Sequence, residues 1–380
     1  MDQQYIRRLE KIEAVLDTWL PQHPGSPWMD RVFAALPGAV SAELVQSLTR
    51  PGRDLVSRGG KRWRPLLMTL ICESLGGGEA ALPLVPLVEC SHNASLIHDD
   101  IEDNSDERRG KPAVHLLYGT DAAINGGCFL YFLPLVCIDF WGEGLSAALA
   151  PEVLAERKNR IYALWGEYMR KLHLGQAMDI HWHRDFTSLP GLEEYHTMCR
   201  LKTGCLARFA AVLGVNAAAA VSQAECFPGG ETELAERLGR AAENFGVGFQ
   251  ILDDVKNLTT GIPGKKRGDD VVEGKKSLPV LLHLHRRPER RDFAARCFAA
   301  ARTGGTGAPE VEALIGELAA AGVLEEAEEQ GRSLIGKARE EFAAAGYAQS
   351  GEAPDLLAGL TELLSLRGKL RNRDYGNAGS

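Results

Sequence analysis

LIHDDIEDNSDERRG, residues 96–110, is the stretch on which the fold turns. An apolar run over 85–97 leads into Asp99-Asp100-Ile101-Glu102-Asp103, and Arg108-Arg109-Gly110-Lys111-Pro112 follows. The apolar run reads as a buried helix. On a helix, residues four apart share one face, one turn apart, so Asp99 and Asp103 project together. Carboxylates that close repel each other unless positive charge lies between them. Hard oxygen donors on a rigid helix suit Mg²⁺. A solvated acidic face would read the same way if the pattern stood alone. It does not: GFQILDDVKNL at 248–258 ends a second apolar run with Asp253, Asp254 and Asn257. Asp253 and Asn257 again share a face, so two buried helices reach polar places in the same manner.

Around these stretches nearly everything has the helical period. The clearest segments are 5–20, 64–75, 82–102, 122–140, 155–179, 192–213, 231–258 and 323–345. Alternating strand patterns are rare and Ala is abundant. Breakers separate the segments at 21–24, 76–78, 228–230, 261–264 and 304–305. The spacing predicts an all-α bundle with a cavity inside it and metal ligands facing one another across the cavity, an arrangement bundles support. Length alone would allow several domains. Motifs spread over most of the chain must meet at one site, so one domain over 1–380 is expected, with a core at about 55–285 and closing helices and a tail at 286–380.

Positive charge gathers beside both acidic clusters. Gly59-Gly60-Lys61-Arg62-Trp63-Arg64-Pro65 lies upstream, and Arg108-Arg109 follow the first cluster. Arg200-Leu201-Lys202-Thr203-Gly204 lies mid-chain, with Gly264-Lys265-Lys266-Arg267-Gly268 and Gly274-Lys275-Lys276 further on. A single basic pair is usually a solvated loop. Several of them flanking carboxylate clusters form anion sites, because Arg offers a planar fork and Lys a point charge to phosphate oxygens. Metal-binding carboxylates with converging cations imply diphosphate substrates, two of them.

Composition narrows the class. The chain is 45% hydrophobic and 25% charged, with a net charge of −8 that argues against nucleic acid as a partner. No apolar run reaches 18 residues. The strongest candidate, 128–138, contains Pro134 and reads as a core helix, so no transmembrane segment is expected. The N-terminal segment has no signal-peptide pattern. Eight cysteines without a C-x-x-C read as reduced core residues of a cytoplasmic protein. His181 and His183 are two apart and would point to different helix faces, against a shared metal.

GGKRWRP, LIHDDIEDNSDERRGKPAVH, KTG, GFQILDDVKN and GDDVVEGKKSLP together resemble, in order and spacing, the motifs of the trans-prenyltransferases, the isoprenyl diphosphate synthases. The resemblance covers roughly residues 55–285. DDIEDNS-x-x-RRG, LHLGQAMDIHWHRD at 172–185 and the DDVKN ending most resemble geranylgeranyl diphosphate synthases of the eukaryotic type. Asn257 departs from a third Asp, a change that branch tolerates.

The resemblance implies an all-α fold, a homodimer and head-to-tail condensation of isopentenyl diphosphate with an allylic diphosphate (dimethylallyl, geranyl or farnesyl). It implies three Mg²⁺ ions, held by Asp99, Asp100 and Asp103 and by Asp253, Asp254 and Asn257. Arg108, Lys202 and Lys265 would bind the allylic diphosphate. Gly60, Lys61, Arg64, His92 and Arg109 would bind isopentenyl diphosphate. Thr203 and Gln250 would stabilise the allylic cation. Ala94 and Ser95 are small, which leaves the cavity below Asp99 open, and Tyr131, Phe132 and His173 match a deeper floor, which implies a C20 product, with farnesyl (C15) or a longer (C25+) diphosphate as the alternative. A class I terpene cyclase would need an N-D-x-x-S-x-x-x-E motif, absent at 244–256, and a non-catalytic partner subunit would have lost aspartates.

Overall fold

Helical periodicity carries almost the whole chain into helices. The computed structural model describes residues 3–223, 226–261, 266–345 and 352–366. Cys205–Ala219 is apolar nearly all round and lies in the centre, packed on Trp63–Ser74 and Glu231–Thr259. Glu231–Thr259 in turn packs on Val323–Ala343. Val85–Glu102 and Pro151–Arg184 complete the walls. Burying large side chains such as Phe209, Phe245 and Leu67 drives this assembly, at about 1.5–3 kcal/mol each. A second apolar cluster joins Trp182, Tyr195 and Ile251 to the helices Leu278–Arg286, Arg291–Gly304 and Pro309–Ala320.

The all-α expectation holds, with three local departures. Ala42–Ser57 is a helix although it contains Pro51 and Gly52. Gly52 is needed there, since a Cβ would lie 2.7 Å from Leu130 Cγ. The expected helix at 122–140 is two helices, Thr120–Phe132 and Val136–Leu145, joined by a 3-10 turn at Leu133–Leu135 where Pro134 removes a donor. By length and composition Thr120–Leu145 could cross a membrane, but half of its most apolar stretch is buried in the bundle, as in a core helix. The only strands among the described residues are Glu107–Arg108 and Lys111–Pro112, a short hairpin just after the first acidic cluster.

One irregularity positions the site. Arg200–Gly204 forms a π turn between Leu192–Cys199 and Cys205–Ala219. Such turns arise where a helix takes up an extra residue. Gly175 makes room for it: a Cβ there would lie 2.3 Å from the Lys202 backbone nitrogen. On the other side Gly246 meets Gly204, its Cβ position 3.0 Å from Gly204 Cα.

Candidate active site

Asp99 and Asp103 sit in the last turn of Val85–Glu102 and at its cap, facing the interior. Lys202 Nζ lies 3.2 Å from Asp99 Oδ1 and 2.5 Å from Asp179 Oδ2. Gln176 donates to Asp99 Oδ1 at 3.0 Å and to Glu102 Oε2 at 2.5 Å. Lys275 Nζ lies 2.6 Å from Glu273, 3.7 Å from Asp103 and 3.8 Å from Asp270. Burial pushes the Asp99 carboxyl up, but Lys202, Lys275 and Arg108 outweigh it and hold the group well below the usual range. At Asp103 burial wins, with Asp99 and Glu273 adding to it, and the carboxyl is pushed up to about 7.

Asp100 is placed otherwise than expected. One residue on from Asp99 turns it about 100°, and it is fully buried against Arg108, whose Nε donates to it at 2.8 Å. It serves as the counter-ion of Arg108, which also stands 3.7 Å from Asp99.

The second cluster comes from Glu231–Thr259. Asp254 is buried and accepts from Gln250 at 2.7 Å and from the Tyr195 hydroxyl at 3.2 Å. Thr203 donates to Gln250 Oε1 at 3.0 Å, tying the π turn to this helix. Burial, with Asp270 adding to it, pushes Asp254 up to about 7. Asp253 is half-buried on the side of Lys61 and Arg64, acting on both electrostatically. Asn257 is engaged with the segment that follows it. Its amide donates to the Lys266 carbonyl at 3.2 Å and accepts from the Asp270 backbone at 3.1 Å, so both of its polar atoms fasten the following segment. Lys265 and the basic tail 367–373 lie outside the described residues.

Carboxylate oxygens from three helices, two of them with raised pKa, form a donor set that suits Mg²⁺. No three carboxylates, His or Cys among the described residues are grouped around a single point, and Lys202, Lys275 and Arg108 stand between the acids instead. The cleft bounded by Asp179, Lys202, Thr203, Gln250, Asp254 and Lys275 has a volume of about 30 Å³. A larger cavity of about 330 Å³ lies elsewhere, beside Arg8, Glu73 and Glu352, and contains none of these groups.

A separate cationic cluster surrounds the GGKRWRP turn. Gly59, Gly60 and Arg62 have φ of 79°, 153° and 47°, and Arg109 has 55°. Left-handed backbone at two arginines is strain of the sort that gathers at functional sites. Gly60 lets Arg109 approach, since a Cβ would lie 3.3 Å from its guanidinium. Lys61 lies over Phe249 and Arg64 over Trp63, each 4.4 Å from the ring centre. Arg62 turns away to Glu13 at 2.8 Å and Glu89 at 2.7 Å. Arg64 and Arg109 have no such neutralising pair: burial outweighs Glu89 and lowers both to about 10. Burial and the surrounding arginines push His92 well below its ordinary value. Asp253 and Glu89 act on this cluster electrostatically, but burial outweighs them at Lys61, Arg64 and Arg109.

Below Asp99, Ala94 is fully buried and Ser95 folds its hydroxyl back to the His92 carbonyl at 2.8 Å. Tyr131 is buried, with its ring 5.1 Å from that of His173. Two expected floor residues are corrected by their exposure. Phe132 is 61% exposed and packs on Trp165, and His173 is exposed beside Leu174.

Sequence reading assigned no role to Gln176, Asp179, Tyr195 or Asp270; Lys275 reads there only as one of the basic groups that bind anions. The signal for the first two was present in LHLGQAMDIHWHRD, where their spacing of three puts them on one helix face.

Residues 45–313 match the polyprenyl synthetase family. Geranylgeranyl pyrophosphate synthase 3, chloroplastic, of Arabidopsis thaliana is 35% identical over 265 residues, 68% of this chain and 69% of that protein. A geranylfarnesyl diphosphate synthase of Aeropyrum pernix is 35% identical over 233 residues, 60% of this chain and 67% of that protein. Among solved structures, a geranylgeranyl pyrophosphate synthetase from Pyrococcus horikoshii superposes with a TM-score of 0.75 at 26% identity, covering 96% of this chain and 97% of that one.

Proposed function

This chain belongs to the polyprenyl synthetase family, an enzyme family of prenyl transfer, and we propose that it condenses isopentenyl diphosphate head-to-tail with an allylic diphosphate to give geranylgeranyl diphosphate, C20. The observation that carries this reading is the pairing of two clusters. One interleaves acids with Lys202, Lys275 and Arg108, and the other holds Lys61, Arg64 and Arg109, at which burial outweighs the nearby Asp253 and Glu89.

The family is Mg²⁺-dependent, and Asp99, Asp103 and Asp254 would hold the ions, three in number. Bound there, Mg²⁺ neutralises charge on the leaving diphosphate. Lys202, Lys275 and Arg108 already point at this place and would turn from the acids to the diphosphate oxygens. Asp100 keeps Arg108 oriented. Arg64, Lys61, Arg109 and neutral His92 would grip isopentenyl diphosphate. As the allylic C–O bond breaks, the oxygens of Thr203 and Gln250 face the developing carbocation. The isopentenyl double bond attacks it, and the released diphosphate takes the proton lost. Burial of the walls keeps water from the cation.

The outward apolar side chains Leu116, Leu117, Ile124 and Phe132 support a homodimer, and light scattering at the mass of one chain would overturn that. A cytoplasmic location is the reading that fits eight unpaired cysteines.

The deciding experiment incubates the pure protein with Mg²⁺ and labelled isopentenyl diphosphate, with each allylic primer and without any. Mass analysis of the dephosphorylated products should show C20 as the main species. Cyclic hydrocarbon from a primer alone would point to a cyclase, and no product at all to a partner subunit.

A further inference from the structure

Tyr131 is the buried member of the expected floor, so whatever holds its ring fixes where the cavity ends. Two rings touch it. That of His173 is tilted, at 5.1 Å, and sits on an exposed helix face. That of His98 is parallel within 9°, at 5.8 Å, and is half-buried.

His98 immediately precedes Asp99. One residue of helix turns it about 100° from Asp99, onto the face it shares with Glu102 and toward Thr120–Phe132. There it enters a slot. A Cβ on Gly127 would lie 3.0 Å from His98 Nε2, 3.1 Å from Cε1 and 3.3 Å from Ile97 Cγ2. The ring is held by the Ile124 backbone and by Cys128, whose Sγ is 3.7 Å from Nε2. Glycine inside a helix costs about 1 kcal/mol relative to alanine, so Gly127 in an apolar helix needs a reason. The imidazole that fills its place supplies one. Three rings therefore run His98, Tyr131, His173, and their inner end is covalently adjacent to the metal-binding end of the cavity.

We propose that His98 is a positioning residue for product length: stacked in the Gly127 slot, it fixes the Tyr131 ring and so the depth of the cavity. The inference rests on reading Tyr131 as part of the floor.

The test uses the full chain with Mg²⁺, isopentenyl diphosphate and farnesyl diphosphate, comparing wild type, His98→Ala, His98→Phe, Tyr131→Ala and the double alanine variant. Chromatography gives the product lengths, and thermal melting tracks general damage. His98→Ala should raise the share of products longer than the wild type's by about threefold, as expected for releasing one held rotamer. His98→Phe, which restores a flat ring, should keep the wild-type distribution. The double variant should be no longer in product than Tyr131→Ala alone. If His98→Ala merely melts earlier and its product lengths are unchanged while Tyr131→Ala lengthens them, the inference fails and the floor stands. If Tyr131→Ala does not lengthen the product, the floor reading falls and takes the inference with it. Equal lengthening by His98→Phe and His98→Ala would overturn the role of the stacked ring.

Discussion

The two charged clusters balance themselves in opposite ways. In the acidic one, Asp99, Asp103 and Asp179 each have a lysine within 4 Å, so there the protein is largely its own counter-ion. In the cationic one, aromatic faces sit against Lys61 and Arg64, and burial outweighs what Asp253 and Glu89 supply, so the positive charge is only partly offset. The difference teaches what each cluster is built to receive. The first can exchange its internal pairs for metal and diphosphate at little net change in charge. The second has cationic charge in excess that an anion from outside would complete.

The largest expected effect breaks the first cluster. Asp99→Ala removes a carboxylate that Lys202, Arg108 and Gln176 all address, and turnover should fall on the order of a hundredfold or more, the scale of losing a preorganised electrostatic group. Steady-state rates with saturating Mg²⁺ check this, and a near-normal rate would end the metal role of this helix.

Arg64→Met acts on the other side. It should raise the KM for isopentenyl diphosphate roughly ten- to a hundredfold, the worth of one charge-assisted hydrogen bond at ~1.5–3 kcal/mol. The KM for the allylic primer should move less, and Lys202→Ala should show the reverse bias. Equal shifts for both substrates in both variants would erase the distinction between the clusters.

Stability without ligand sharpens the contrast, because the two clusters should respond with opposite sign. Asp179→Ala leaves Lys202 buried with one acid fewer and should cost about 3 kcal/mol. Arg64→Met removes a buried charge whose burial outweighs its acids Glu89 and Asp253, and should stabilise by about 1 kcal/mol. Thermal melting of the metal-free proteins separates the two, and a loss in both would show that Arg64 is balanced after all.

The smallest effect is in pH. Asp103 and Asp254 have folded pKa values of about 7, above their ordinary 3.8. The folded state then binds more protons than the unfolded chain between those values. The stability this contributes is full below about pH 4 and lost as pH rises through about 7. The metal-free protein should melt higher at pH 5.5 than at pH 8, and half-maximal activation should need more Mg²⁺ below pH 7. The cationic cluster opposes this in part: Arg64 and Arg109 stay charged over that range, but His92 stays neutral in the fold while the unfolded chain takes up its proton below about 6.5, so His92 lowers stability as pH falls. A flat melting profile would mean the acids are already neutralised by Lys275.

How much of this was legible in the sequence depends on whether a feature is local. The helices, the two aspartate patterns and the GGKRWRP turn are runs of neighbouring residues, and all were readable. The direction of Asp100 was not, because its partner Arg108 comes back through a hairpin whose two-residue strands carry no periodic signal. Asn257 reads as a ligand by register alone, and its engagement by the segment 266–270 depends on a fold-back that register does not carry. Phe132 and Tyr131 are adjacent in sequence, and which of them is buried depends on the neighbouring helices. The 42–57 helix was hidden by Pro51 and Gly52, whose reason is Leu130 on another element.

The π turn at 200–204 has a consequence for how the chain tolerates editing. A helix with one surplus residue is a stored rotation: everything after it points about 100° away from where a regular helix would aim it. Deleting Leu201 would let the backbone relax into a smoother helix, still apolar and still fitting the bundle. The direction of Lys202 would change, however, and with it the ammonium now shared by Asp99 and Asp179. Local regularity and chemical aim therefore conflict at this one place, and a shortened chain that folds at least as well could still lose its chemistry.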